Sequence, residues 1–101
     1  MDVLCACEEV ESFFQGQKKF ANFQTDILRQ RAVERNVEIM GEAINQLLKQ
    51  DPTIVLDNAR AIIGTRNRVI HSYDNVTQEF LWSLVINHIP KLHRDVAELL
   101  K

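Results

Sequence analysis

Residues 25–50, TDILRQRAVERNVEIMGEAINQLLKQ, form the longest uninterrupted periodic stretch of the chain. Apolar side chains recur along it at alternating intervals of four and three residues, which places them on one face of an α-helix. Because Asp51-Pro52 interrupts the pattern, the helix is predicted to start near Thr25 and to end before Asp51. The residues of this main stripe are Val33, Val37, Met40, Ile44 and Leu47.

The same helix carries a second, mixed stripe beside the main one. A helix that is apolar on one side and partly apolar on another is expected to contact two neighbouring helices. Gly41 and Ala43 are small, so they permit a neighbouring helix to approach closely. These features predict a bundle in which residues 25–50 are central. The second stripe consists of Arg35, Ile39, Glu42, Ala43 and Gln46.

Upstream, a first helix is predicted from Val3 to Gln15, with Asp2 as its N-cap and Gly16 as its stop. A linker, Gln17–Gln24, follows it. Cys5 and Cys7 lie two residues apart, about 200° around a helix, so they are not expected to pair or to share a metal. The apolar stripe of the first helix is Val3, Cys7, Val10 and Phe14.

Downstream, a third helix is predicted to begin near Thr53, and a turn is expected at His71–Val76. A last helix should run from about Thr77 to the C-terminus with a kink at Pro90, since proline removes a backbone donor. The register of the third helix continues from Ala59 and Ile62 to Arg66. Its buried face is predicted to contain Val55, Ala59, Ile62 and Ile63. That of the last helix is predicted to contain Leu81, Val85, His88, Leu92, Val96 and Leu99.

The fold class that follows is all-α: one domain of 101 residues, folded as an antiparallel up-and-down four-helix bundle. A core of this size is modest, so a dimer that shares its core is expected. The net charge of −2 argues against a protein that coats nucleic acid nonspecifically. No apolar run is long enough to span a membrane, and no secretory signal is recognisable, so a cytoplasmic protein is expected.

Arg66, His71 and Tyr73 are the candidate functional residues. RNA carries its own nucleophile, the 2′-OH beside the scissile phosphate. An imidazole titrates near neutral pH and can move the proton of that hydroxyl, while arginine donates paired hydrogen bonds to phosphate oxygens. One histidine cannot easily serve as both base and acid in one turnover, so a two-fold dimer that brings two copies to one cleft is expected. From spacing alone, a helix cap or salt bridge is the more frequent role of such residues.

The run Ile63-Gly64-Thr65-Arg66-Asn67-Arg68-Val69-Ile70-His71-Ser72-Tyr73 resembles the signature of the HEPN family, and its Arg-x-x-x-x-His-x-Tyr spacing resembles the HepT branch. Three further segments are similar to that branch, so the likeness extends over nearly the whole chain. They are Arg35-Asn36-Val37-Glu38-Ile39-Met40-Gly41-Glu42-Ala43, Leu81-Trp82 and Ile89-Pro90-Lys91-Leu92.

The resemblance implies the toxin of a toxin–antitoxin pair, a metal-independent RNA endonuclease acting on tRNA without a cofactor. Arg66 and His71 would be catalytic, and Asn67, Arg68 and Glu42 would support the site. Tyr73 would be modified with AMP by a partner nucleotidyltransferase of the MntA type. Two other functions stay open: a non-catalytic module that binds nucleotide or substrate for a separate nucleotidyltransferase, and a purely structural dimer.

Overall fold

The computed structural model describes residues 3–14, 16–56, 58–64 and 78–99, and these residues form helices and their connections. The all-α bundle predicted from the sequence is confirmed. Helix α1 packs against both α3 and α6, and α3 also contacts α2 and α5. The elements are α1 (Val3–Phe14), α2 (Phe20–Thr25), α3 (Ile27–Gln50), α4 (59–64 in its described part), α5 (Gln78–Ser83), a π-helical turn (Leu84–His88) and α6 (Ile89–Leu99).

Helix α1 follows its prediction over Val3–Phe14, while the predicted N-cap Asp2 and the predicted last residue Gln15 lie outside the described residues. Its four predicted stripe residues are all buried, together with Ala6 between them. Gly16 has a φ of +78°, a conformation that residues with a side chain rarely adopt, and Gln17 N–H bonds the Phe14 carbonyl at 2.8 Å. The glycine stop therefore works as expected. Of the two cysteines, Cys5 is exposed and Cys7 is buried, and both are thiols.

Helix α3 begins two residues later than predicted because Asp26 serves as its N-cap. Asp26 has extended backbone angles, and its carboxylate accepts the Arg29 N–H at 3.0 Å. Four of the five main-stripe residues are fully buried, and Leu47 is partly buried. The mixed stripe divides, since Ile39 and Ala43 pack against the core while the polar members are exposed.

The linker predicted at Gln17–Gln24 is wrong, because residues Phe20–Thr25 form the short helix α2. Helix α2 forms because its residues contact residues that are distant in the sequence. Phe23 is fully buried and lies with Phe14, Phe20 and Trp82 in one aromatic cluster, with ring centroids 5.5–6.0 Å apart. The Gln30 amide of α3 donates to the Phe23 carbonyl at 2.9 Å, which secures the end of α2.

The predicted start of the third helix near Thr53 is also wrong. Asp51 accepts hydrogen bonds from the Thr53 N–H at 3.1 Å and the Thr53 hydroxyl at 2.5 Å, and the Ile54 N–H bonds the Asp51 carbonyl. Asp51-Pro52-Thr53-Ile54 is therefore a turn, with proline at its second position. The described part of α4 starts at residue 59. Val55, predicted to be buried, is 79% exposed, and Leu56 occupies the core instead.

The distortion predicted at Pro90 takes the form of a π-helical turn, Leu84–His88, which ends two residues before the proline. The Ile89 N–H bonds the Leu84 carbonyl, five residues earlier, instead of the Val85 carbonyl. Since Pro90 brings no N–H, a wider turn here accommodates the missing donor. The predicted stripe of this helix is buried up to Val96, except for the half-buried His88, but Leu99 in the final turn is 45% exposed.

Asn36 is a polar side chain inside the core, at 3% exposure near the middle of α3. Its amide nitrogen donates to the Ala32 carbonyl at 2.9 Å within the same helix. Its side-chain oxygen is buried without a hydrogen-bond partner among the residues described. A buried acceptor left unpaired lowers stability by about 1–3 kcal/mol.

Candidate active site

Of the six site residues predicted from the sequence, the structure describes Glu42. Arg66, Asn67, Arg68, His71 and Tyr73, with the turn predicted at His71–Val76, lie outside the described residues. The geometry that can be given is that of the elements on either side of them, α4 before and α5 after.

Helix α4 leads into the predicted motif, and core packing holds it. Ala59 is 3% exposed and Ile62 is fully buried, as the sequence predicts. Ile63 is partly buried against the same core, and Gly64 is exposed. In the sequence, Arg66 follows Ile63 by three residues. The described part of α4 that precedes the predicted motif is therefore a helix packed against the core.

A second anchor joins the start of α4 to the last helix. The Nδ1–H of His88 donates to the Asn58 side-chain oxygen at 3.0 Å. Asparagine just before a helix usually caps that helix, but this side chain reaches a residue thirty positions away. His88, predicted to be a packed histidine, is half-buried and makes a specific contact. The sequence offers no signal for this pair because its members are distant in the chain.

On the other side of the motif, α5 is anchored equally firmly. Leu81 is 1% exposed in the core, and Trp82 contacts three phenylalanine rings of the aromatic cluster. Ile62 of α4 and Leu81 of α5 are both core residues, so the described helices before and after the predicted motif are both packed in the core.

Glu42 lies on the exposed side of α3, in the mixed stripe. The Gln46 amide, one turn later, donates to its carboxylate at 3.3 Å. A supporting role for Glu42 in the site stays a prediction. Among the described residues, no group of three or more His, Cys, Asp or Glu side chains is placed to hold a metal ion.

Two groups of arginines lie close together in the sequence and form two clusters: Arg29, Arg31 and Arg35 in one, and Arg60, Arg66 and Arg68 in the other. Arg29 lies over the Phe14 ring at 5.3 Å and 3.6 Å from the Asp26 carboxylate. Arg31 and Arg35 are three-quarters exposed and pair with Glu34 and Glu38 at 3.4 and 3.8 Å, an arrangement typical of a solvated helix face.

In the other cluster, Arg60 is exposed on α4, and no ion pair to another described residue is found for it.

His93 lies on α6 and contacts α1 rather than α4. Its Nε2–H donates to the Glu8 carboxylate of α1 at 3.3 Å. Across the described ranges, no helix combines the length and apolar character needed to cross a membrane.

Comparison with models of known protein families identifies the family to which this chain belongs. The family model described as "Ribonuclease HepT-like" matches residues 3–99, which include both anchors and the whole predicted motif between them. The chain belongs to the HepT-like ribonuclease family. Ribonuclease activity on an RNA substrate follows from this membership, and the resemblance inferred from the Arg-x-x-x-x-His-x-Tyr segment is confirmed.

Individual relatives agree with the HepT-like assignment. A protein named "Putative RNase TTE0752" from Caldanaerobacter subterraneus subsp. tengcongensis is 32% identical over 98% of this chain and 88% of its own length. Another, named "Putative RNase MJ0127", from Methanocaldococcus jannaschii, is 28% identical over 87% of this chain and 74% of its own length. No solved structure gives a significant match.

Proposed function

We propose that this HepT-like ribonuclease is the toxin of a toxin–antitoxin pair and cleaves RNA, with tRNA as its target, by a metal-independent mechanism. The observation that carries the proposal is the family match over residues 3–99, because it includes the complete segment Arg66–Tyr73.

The proposed chemistry uses the substrate's own hydroxyl. The 2′-oxygen attacks the adjacent phosphorus, the bond from phosphorus to the 5′-oxygen breaks, and a 2′,3′-cyclic phosphate and a 5′-hydroxyl result. His71 takes the proton of the 2′-OH or gives one to the leaving oxygen. Arg66 binds the non-bridging oxygens and stabilises the charge that grows in the transition state. Asn67, Arg68 and Glu42 would support these two residues.

A homodimer fits this chemistry. Base and acid act on opposite sides of the phosphorus, and one His71 does not readily serve both. Two copies around a two-fold axis would supply two histidines and two arginines to a single cleft. Specific activity should then fall when the protein is diluted below the dissociation constant of the dimer, which light scattering measures independently.

Tyr73 is the proposed site at which a partner protein inactivates the nuclease. It lies two residues after His71 and is the only tyrosine of the chain. AMP attached there by an MntA-like nucleotidyltransferase would place bulky negative charge beside the cleft and repel substrate phosphates. Co-expression with the nucleotidyltransferase gene nearest to this one should add AMP mass increments to the intact protein. Tyr73→Phe should abolish the increments and leave cleavage intact, and increments that persist in this variant would contradict the assignment.

The nuclease test compares the parent protein with Arg66→Ala and His71→Ala in EDTA. Each variant should lose at least about 100-fold in cleavage rate, the usual contribution of acid–base or electrostatic catalysis. Arg31→Ala is the matched control, since Arg31 is an exposed arginine of α3 that pairs with Glu34. Variants that cleave at the parent rate would overturn the assignment. Tight nucleotide binding by a parent that cuts no RNA would favour a binding module instead.

A further inference from the structure

A groove lies beside the helix that leads into the proposed catalytic segment. It has a volume of about 390 Å³, within the range of small-molecule sites. The end of α3, the connection after it and α4 form its walls. Its surface is mostly aliphatic, with Val55 79% exposed and Arg60 also exposed. The lining residues are Leu48, Ile54, Val55, Leu56, Ala59, Arg60 and Ile63.

Charge distinguishes this groove from two other cavities in the described part of the chain. The cavity at the start of α3 includes the Asp26 carboxylate, and there Arg29 is already engaged by that carboxylate and by Phe14. The cavity between α1 and Pro90 includes two carboxylates, Glu8 and Glu11, and its lysine, Lys18, is paired with Glu11 at 2.7 Å. Among the described lining residues of the α4 groove, the charged side chain is Arg60 and there is no carboxylate. The exposed Arg60 side chain beside these aliphatic side chains offers a contact for an anionic group attached to an apolar body.

Position along the chain connects the groove to the proposed chemistry. Ile63 lines the groove, and Arg66 follows it by three residues in the sequence. A phosphate bound by Arg66 would therefore be close to a nucleotide whose base lies against Ile63. Single-stranded RNA offers such a base, because its unstacked bases present apolar faces next to charged phosphates.

We infer that the groove binds one unstacked base of the RNA substrate, close to the scissile phosphate, and that Arg60 binds a phosphate beside that base. The aliphatic side chains of Val55, Leu56 and Ile63 contact the face of the base and accept different bases. This inference rests on the proposed function, since it deepens the description of the same site. It makes Val55 and Arg60 binding residues for the substrate.

The test measures binding apart from cleavage. A fluorescein-labelled RNA dodecamer with 2′-O-methyl groups at every position has no free nucleophile, so polarisation reports affinity alone. Val55→Asp and Arg60→Gln should each weaken binding about tenfold, because the first places a carboxylate beside the phosphate and the second removes a charged contact to it. Arg60→Gln should also lower the slope of log Kd against log salt by about 0.7, the value for one phosphate contact in single strands.

Leu28→Asp and Arg31→Gln are the matched controls, because Leu28 is 83% exposed and the Arg31 side chain is 74% exposed, both on α3 away from the groove. Affinities of the groove variants equal to those of the controls, with a parent that cleaves unmodified RNA, would overturn the subsite alone. A parent that neither binds nor cleaves RNA would overturn the proposed function together with the subsite. A Val55→Asp protein with unchanged RNA affinity and an altered mass by light scattering would show a contact between copies, which also overturns the subsite.

Discussion

The two ends of helix α3 differ in how they are built. The helix is about 36 Å long at 1.5 Å per residue. At its N-terminal end, Phe14, Phe20, Phe23 and Trp82 contact one another, and Arg29 covers one of the rings. The four rings come from three helices, α1, α2 and α5, so the cluster joins distant parts of the chain.

At the C-terminal end of α3, the chain turns at Asp51 and leaves an open aliphatic groove before α4 begins. Val55 is exposed there, and a hydrogen bond from His88 to Asn58 holds the start of α4 to the last helix. Aromatic packing at one end stabilises the bundle, while the other end keeps surface accessible. Binding surfaces commonly lie on such less tightly packed parts of a rigid scaffold.

The largest effect on stability should follow from removing one ring of the aromatic cluster at the N-terminal end of α3. Phe23→Ala removes a fully buried ring that contacts Phe14 and Trp82, and should lower the free energy of unfolding by about 3–5 kcal/mol. Urea denaturation followed by Trp82 fluorescence measures this, since Trp82 is the only tryptophan. A loss below about 1 kcal/mol would show that the aromatic cluster is not the main stabilising feature of this end.

The next largest effect concerns the hydrogen bond between Asn58 and His88, at the C-terminal end of α3. Asn58→Ala and His88→Ala should be coupled by about 0.5–1.5 kcal/mol in a double-mutant cycle of stability, as expected for one hydrogen bond. Both single variants should also reduce RNA cleavage, since they loosen the start of the helix that leads to Arg66. His93→Ala is the control histidine, and it should leave cleavage unchanged. Additive stability effects would contradict a direct contact between Asn58 and His88.

A smaller pair of effects compares the two aspartates that flank α3. Asp26→Ala removes the N-cap and should cost about 1 kcal/mol, or a Tm lower by roughly 4–8 °C, with cleavage unaffected. Asp51→Ala should cost less stability because its turn is exposed, yet it should change cleavage by displacing the connection to α4. Calorimetry and the nuclease assay on the same preparations measure both. Equal effects of the two variants on cleavage would contradict the distinction between the ends.

The smallest effect on stability concerns Asn36, which lies between the two ends of α3. Asn36→Leu replaces a buried amide whose oxygen has no partner among the described residues, and should raise the free energy of unfolding by about 0.5–1 kcal/mol. Cleavage should stay at the parent level, because Asn36 lies in the middle of α3, away from the groove. A destabilised variant would show that the amide contributes more through its bond to Ala32 than its unpaired oxygen costs.

Several parts of this protein could be predicted from the sequence because they depend on local periodicity. The stripes of α1 and α3 face the core as predicted, and Gly16 ends α1 through a backbone conformation that glycine favours. The segment Arg66–Tyr73 is likewise contiguous in the chain, so the residues alone were enough to infer the family. Catalytic roles for Arg66 and His71 stay predictions, since those residues lie outside the described part.

Other features depended on contacts between distant residues, which periodicity does not contain. Helix α2 exists because Phe23 packs on rings that come from residues 14 and 82. Because of the turn at Asp51, α4 starts later than predicted and Val55 is exposed. Asn58 forms its hydrogen bond with His88, thirty residues away in the sequence. The sequence by itself determined the long helices and the family, because helical stripes and a contiguous motif are local. Only the tertiary structure decided the groove beside α4 and its anchor, because both arise where separate helices meet.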